Sequence, residues 1–354
     1  MTKQLDSGNA NNRLECAIQV RSASECTFST VMKVTLVRAS GLYCMSLVIL
    51  SLFVVGCSNE PQTVQPAQTS KQSNRVVAAS YALHYMTKEI AIGPVKVKFP
   101  AGAAADPSDW SPTIEDIASM QKADLIIVNG TGAEYAKWLV RTTLPEGKIC
   151  HSCDDIPLVQ LISVSDYQTV HSHGPEGEHS HAYMVPHIWL DPELAMLQAK
   201  SINERMGKEY PKLAPKFEMK TNELLGELQG IVNQIDQLKN EEKKFSVVTM
   251  SPELKYLTRA MGLTDSHLLW FDKLYEQDAK SALQQAEKLI VDSQAIAVLT
   301  GSEPNEELQS LCQKLNVELI RIEMFGKEPA DVNFLTGTRQ NIDRLLRLRS
   351  RATE

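Results

Sequence analysis

One stretch limits the architecture more than any other: residues 215–239, where Phe217, Leu224, Leu225, Leu228, Ile231, Val232, Ile235 and Leu238 recur every three or four positions. That spacing lines one face of a long amphipathic helix. About 25 residues at ~1.5 Å each make a rod of roughly 37 Å, long enough to run along two packed lobes. A coiled-coil partner is the rival explanation, although the stretch holds only about three heptads.

Short β-type runs alternate with helical ones on both sides of this rod. Ahead of it, strands are expected at 75–80, 95–99, 124–128 (DLIIV) and 157–162, with helices at 83–92, 113–122, from the Asn129-Gly130 turn to about 142, and at 192–210. Behind it, strands at 246–250, 267–271, 296–300 and 317–322 alternate with helices at 252–261, 278–292, 306–315 and 332–348. Such alternation implies parallel sheets covered on both faces. The expected fold is therefore α/β: a lobe over 75–213, a linking helix over 214–240 and a second lobe over 241–354. Ligands of such sheets bind beyond the carboxyl ends of the strands, which puts the expected site in the cleft between lobes.

The stretch 171–192, HSHGPEGEHSHAYMVPHIWLDP, holds five of the eight histidines: His171, His173, His179, His181 and His187. Imidazoles this crowded are hard to bury as packing, because each ring needs partners for two nitrogens. A divalent transition metal accepts several at once. Gly174, Pro175 and Gly177 break any periodicity, so 171–181 is expected to be a mobile, histidine-rich loop that collects metal. His187 differs, since it stands in an apolar run just before Asp191-Pro192, a helix-start signal. It should be held in place by the fold.

The amino-terminal part reads as an export signal. Lys33 and Arg38 precede an apolar run over 42–55, too short for a membrane span, which needs ~20 apolar residues. The run ends in Val54-Val55-Gly56-Cys57, which resembles a bacterial lipobox; by that resemblance the chain is cut before Cys57 and lipid is attached there. Residues 1–31 have no export logic, so the functional start is placed at Met32. Residues 58–74, rich in Gln, Ser, Thr and Pro, read as a solvated tether. The net charge of −7 argues against nucleic acid as a partner.

Cys150-His151-Ser152-Cys153 can bind zinc, take part in redox exchange, or close as a local disulfide. Cys312, beside Leu311 and Leu315, reads as a buried apolar residue.

Taken in order, the lipobox, AADPSDWSPTIEDI from Ala104, KADLIIVNGTGAEYAKWL from Lys122, the histidine stretch, PHIWLDP from Pro186, the long helix and SEPNEELQSL from Ser302 resemble the ZnuA/TroA-type solute-binding lipoproteins. The resemblance runs from about 75 to 348. It implies an extracytoplasmic, lipid-anchored monomer that captures zinc, or manganese as the alternative, for the permease of an ABC importer. It also implies four metal-holding side chains, two per lobe. His187 matches the first-lobe histidine before Ile-Trp-Leu-Asp-Pro, and Glu323 matches the carboxylate after the last strand. The other two positions are altered: Ser108 follows Asp106-Pro107 where the family has histidine, and Ser251 stands for the histidine opening the second lobe. A hydroxyl is a poor zinc ligand. Asp109, His84 and the histidine stretch itself are the available substitutes; if the interlobe site is lost, the chain would buffer or sense metal through 171–181 alone. A zinc hydrolase needs an open coordination position and a general base, and no H-E-x-x-H occurs, so no enzyme is expected.

Overall fold

The computed structural model describes residues 38–39, 42–43, 74–101, 110, 112–131, 144–172, 178–239, 245–263 and 266–351. Within residues 1–66, a unit of its own, it describes only β1 (Arg38–Ala39) antiparallel to β2 (Leu42–Tyr43). The expected cleavage site and Cys57 lie outside the described residues.

The unit from Ala67 to Glu354 contains two four-stranded parallel sheets. The first runs in the order β4 (Lys96–Lys98), β3 (Arg75–Ala78), β5 (Leu125–Val128), β6 (Ile149–His151). The second runs β10 (Ser266–Leu268), β9 (Val247–Thr249), β11 (Ala297–Thr300), β12 (Glu318–Arg321). Both place the first strand of the lobe inside the sheet, with the second strand on one side of it and the third and fourth on the other. The inner strands β5, β9 and β11 are buried along their whole length, as sheets covered on both faces require.

In the first lobe α1 (Tyr81–Ile90) follows β3, and α2 (Ile114–Gln121) precedes β5. A reciprocal capping box between Thr113 and Asp116 fixes the start of α2. Then α3 (Pro192–Glu209) leads into the long α4 (Ala214–Lys239), which packs against α1 and α3 of the first lobe and against α9 (Phe334–Arg351) of the second. The second lobe adds α5 (Leu254–Ala260), α6 (Phe271–Gln277), α7 (Ala279–Asp292) and α8 (Glu306–Leu315). One apolar core runs from Val76 and Ile127 through Leu228 and Ile235 of α4 to Leu299 and Ile320. The rod is thus a shared wall of both lobes, and its apolar stripe is consumed within the chain.

Two expectations are corrected. Residues 157–162 are not a strand: Leu158–Gln160 form a 3-10 turn, with the Gln160 amide bonded to the Pro157 carbonyl, and Leu158 and Val159 are exposed. The fourth strand of the first sheet is β6, three residues long, which takes in Cys150 and His151 at the start of the Cys-His-Ser-Cys motif. The histidine stretch is not a simple loop either. Its flanks pair as an antiparallel ribbon, β7 (Ser163–Ser172) with β8 (Glu178–Met184), with His171 opposite His179 and Thr169 opposite His181. Val164, Thr169, Val170 and Tyr183 are residues that favour extended backbone, which outweighs the glycines nearby in sequence.

Candidate metal centre

His187 occupies a locked turn. Ile188–Leu190 form a buried 3-10 turn, and Asp191 caps α3 by accepting from the Glu193 amide at 3.0 Å, with Pro192 in the first helical position. His187 is 7% exposed, and its ring lies 5.1 Å from the Trp189 ring. Asp191 is itself buried; desolvation pushes its carboxyl up, while the Arg259 guanidinium at 3.3 Å opposes that shift. Beneath the turn lies a buried polar hub. The Asn129 amide donates to the Pro186 carbonyl, while the Gln198 amide donates to Asn129 Oδ1 at 2.6 Å and to Ser152 Oγ at 3.0 Å. The hub links the residue before His187 to the Cys150–Cys153 turn. Gly130 is needed at its edge, because at φ +99 a Cβ would meet the His151 Cβ at 2.9 Å.

Glu323 sits at the carboxyl end of β12. Its amide donates to Asn341 Oδ1 at 3.0 Å, its carbonyl accepts from Asn341 Nδ2 at 2.9 Å, and its carboxylate lies 3.5 Å from Arg321 Nη1. The turn that follows is tightly held. Met324 presses on Gly301, where a Cβ would stand 2.8 Å from its sulfur, and Phe325 adopts φ 57 with its ring edge-on to Phe334 at 5.2 Å. A left-handed φ on a bulky residue costs energy, which the buried ring contact offsets.

Two sets of bonds bring these segments together. Trp189 Nε1 donates to the Met324 carbonyl at 2.8 Å, joining the His187 turn to the residue after Glu323. Ser80 gives α1 no side-chain cap; instead the Tyr81 and Ala82 amides donate to the Gly326 and Phe325 carbonyls at 2.9 and 3.0 Å. The first turn of a first-lobe helix is therefore capped by the second lobe.

The substitutes fall in three groups. His84 lies on α1, stacked on Phe99 at 5.9 Å, with Nδ1 buried and without a hydrogen-bond partner. Burial, and then the charge of Lys88, lowers its pKa to about 4, so the ring is neutral at physiological pH. Ser251 follows β9, and its Oγ is likewise buried without a partner, as is that of Ser80. Asp109 and His173 lie outside the described residues. His171, His179 and His181 are placed only by backbone register in the ribbon. Among the described residues no three His, Cys, Asp or Glu side chains gather as a metal-holding group. Cys150, Cys153 and Cys312 are buried thiols, and burial pushes those of Cys150 and Cys312 up to about 11. What sequence reasoning missed is the role of the second-lobe helix α5, expected as a helix but not as the element whose Tyr256 and Arg259 reach across to the first lobe.

A sequence profile for the zinc-uptake complex component A, periplasmic (ZnuA), matches residues 76–347. The chain is 25% identical over 215 residues to the zinc-binding lipoprotein AdcA of Streptococcus pneumoniae, covering 61% of this chain and 41% of that protein, so it spans less than half of that relative's length. It is 26% identical over 325 residues to the high-affinity zinc uptake system protein ZnuA of Bacillus subtilis, covering 86% of this chain and 96% of the relative. The manganese ABC transporter substrate-binding lipoprotein PsaA of Streptococcus pneumoniae is 22% identical over 283 residues, 77% of this chain and 85% of its own. Among solved structures, the Zn(II)-bound ZnuA-like domain of Streptococcus pneumoniae AdcA superposes with a TM-score of 0.59 at 18% identity, covering 77% of this chain and 97% of that domain. The fold is the two-lobed one of these binding proteins.

Proposed function

This chain belongs to the ZnuA family of zinc-uptake components, and from that premise we propose that it captures a divalent transition metal outside the cytoplasm and passes it to the permease of an ABC importer. The named relatives are a zinc-binding lipoprotein, a high-affinity zinc uptake system protein and a manganese ABC transporter substrate-binding lipoprotein. Zinc is the first choice of cargo and manganese the second. Lipid at Cys57 tethers the protein to a bacterial membrane as a monomer, and the polar segment 58–74 spaces the body from it.

His187 supplies an imidazole and Glu323 a carboxylate, a borderline nitrogen and a hard oxygen that together suit zinc or manganese. One observation carries this reading: the Trp189–Met324 bond ties the two segments that bear them, one from each lobe, at 2.8 Å. Two protein ligands leave a coordination shell incomplete. His84, Ser251, Asp109 and the ribbon histidines are the groups from which it is filled. His84 has the strongest claim among the described ones, with a neutral ring and a free nitrogen.

Calorimetric titration with zinc and with manganese tests this. His187→Ala is expected to weaken the tightest site at least tenfold, and Glu323→Gln to weaken manganese more than zinc. Deleting 171–181 is expected to lower the number of ions bound while sparing the tightest site. The second reading, buffering by the ribbon alone, draws on the lack of a three-donor group among the described residues. It wins if the deletion abolishes binding and His187→Ala changes nothing.

A further inference from the structure

The base of the histidine ribbon is built in an unusual way. Ile162 and Val185 stand just outside its two strands, and the Val185 amide donates directly to the Ile162 carbonyl at 2.9 Å. In an antiparallel hydrogen-bonded pair the return bond runs from the Ile162 amide to the Val185 carbonyl. Here that rung is relayed by a side chain from the other lobe. The Tyr256 hydroxyl accepts from the Ile162 amide at 3.0 Å and donates to the Val185 carbonyl at 3.1 Å. The Tyr256 side chain is fully buried, so water does not compete for either bond.

Arg259 lies one helical turn further along α5, its guanidinium 5.3 Å over the Tyr256 ring. It donates to the Gln160 carbonyl at 2.7 Å and pairs with Asp191, the cap of α3, at 3.3 Å. α5 therefore grips the first lobe before the ribbon, at its base and just after His187. The element that carries this grip begins beyond Ser251, at the carboxyl end of β9.

We propose that Tyr256 is a positioning residue that carries the histidine ribbon on the second lobe, although the ribbon belongs to the first lobe in sequence. A metal ion taken up by the ribbon then acts on α5 and the segment bearing Ser251, and a shift between the lobes re-aims the ribbon over the cleft. This coupling rests on the metal-capture reading, but the grip itself does not.

The grip is tested on metal-free protein by amide hydrogen exchange resolved to single residues. In Tyr256→Phe the Ile162 amide loses its acceptor, and its exchange is expected to quicken about fivefold or more, together with that of 178–184, while α3 is unchanged. Unchanged exchange at Ile162 overturns the proposal. Should Tyr256→Phe fail to fold, Arg259→Gln provides the second test; quickened exchange at 161–163 is expected, and none overturns it. Zinc chloride then tests the coupling. In the unaltered protein zinc is expected to slow exchange both at 178–184 and at 254–260; in Tyr256→Phe only the first effect survives. Equal protection of both segments in the variant overturns the coupling. Absence of protection at 178–184 in the unaltered protein instead defeats ribbon metal capture, and the metal-free comparison still decides the role of Tyr256.

Discussion

The two histidine-bearing regions of the molecule are built on opposite plans. His187 stands in a buried turn fixed by a helix cap, a tryptophan that bonds across the lobes, and an amide hub below it. His171, His179 and His181 ride on a two-stranded ribbon whose described anchorage is its own ladder and a base held by Tyr256. A fixed imidazole selects, because only an ion whose geometry suits it avoids strain; several imidazoles on a ribbon collect, because many arrangements are acceptable but each must be ordered on binding. On the proposed function, the difference would divide the labour of a receptor between retention and capture.

That division is broken most severely through Trp189. Trp189→Ala removes a fully buried indole and an interlobe bond, and thermal or denaturant unfolding should register a loss of about 3–5 kcal/mol. If the loss is under about 1 kcal/mol, the His187 turn is not the rigid region described. Asn129→Ala should come next, at about 2–3 kcal/mol, because it leaves the Gln198 amide and the Pro186 carbonyl buried with lost partners.

Acid provides a gentler probe. The folded state holds His84 at about 4, below its ordinary value of 6.5, so between those values the unfolded chain takes up a proton that the folded one refuses. Metal-free stability should thus be full above pH 6.5, fall as the pH is lowered, and level off below about 4. Unfolding midpoints measured across that range should flatten in His84→Leu, and an unchanged slope would show that His84 is not held neutral by burial. The smallest effect is expected in the ribbon: replacing His179 and His181 by alanine should leave stability within about 0.5 kcal/mol while lowering the zinc bound per chain, read by atomic absorption after dialysis.

Much of the fold was legible because it rests on periodicity. The stripe on α4 and the run Leu125–Val128 announce a rod and a covered strand without further help. The misreadings came where local signals conflict with context. Pro157-Leu158-Val159-Gln160-Leu161-Ile162 looks extended by composition, but Pro157 has no amide to give and the segment turns at the surface. Ile149-Cys150-His151 is too short to stand out, and becomes a strand only because β5 offers it an edge. The ribbon was hidden by its glycines. Of the proposed ligands, the fixed setting of His187 was legible through the helix-start signal that follows it, whereas Glu323 was named only through the family resemblance. The contacts that unite them were not legible, since Trp189 and Met324 are 135 positions apart and Tyr256 lies 71 from Val185. Such pairings follow from packing and leave no mark on local sequence.

One consequence follows from the way α1 begins. Its opening amides have carbonyls of Phe325 and Gly326 as acceptors, so prising the halves apart would strand two donors where solvent is scarce. Separation of the halves is accordingly resisted, and on the proposed function cargo would come and go through small displacements, more like a jaw with a tight spring than a gate on a hinge.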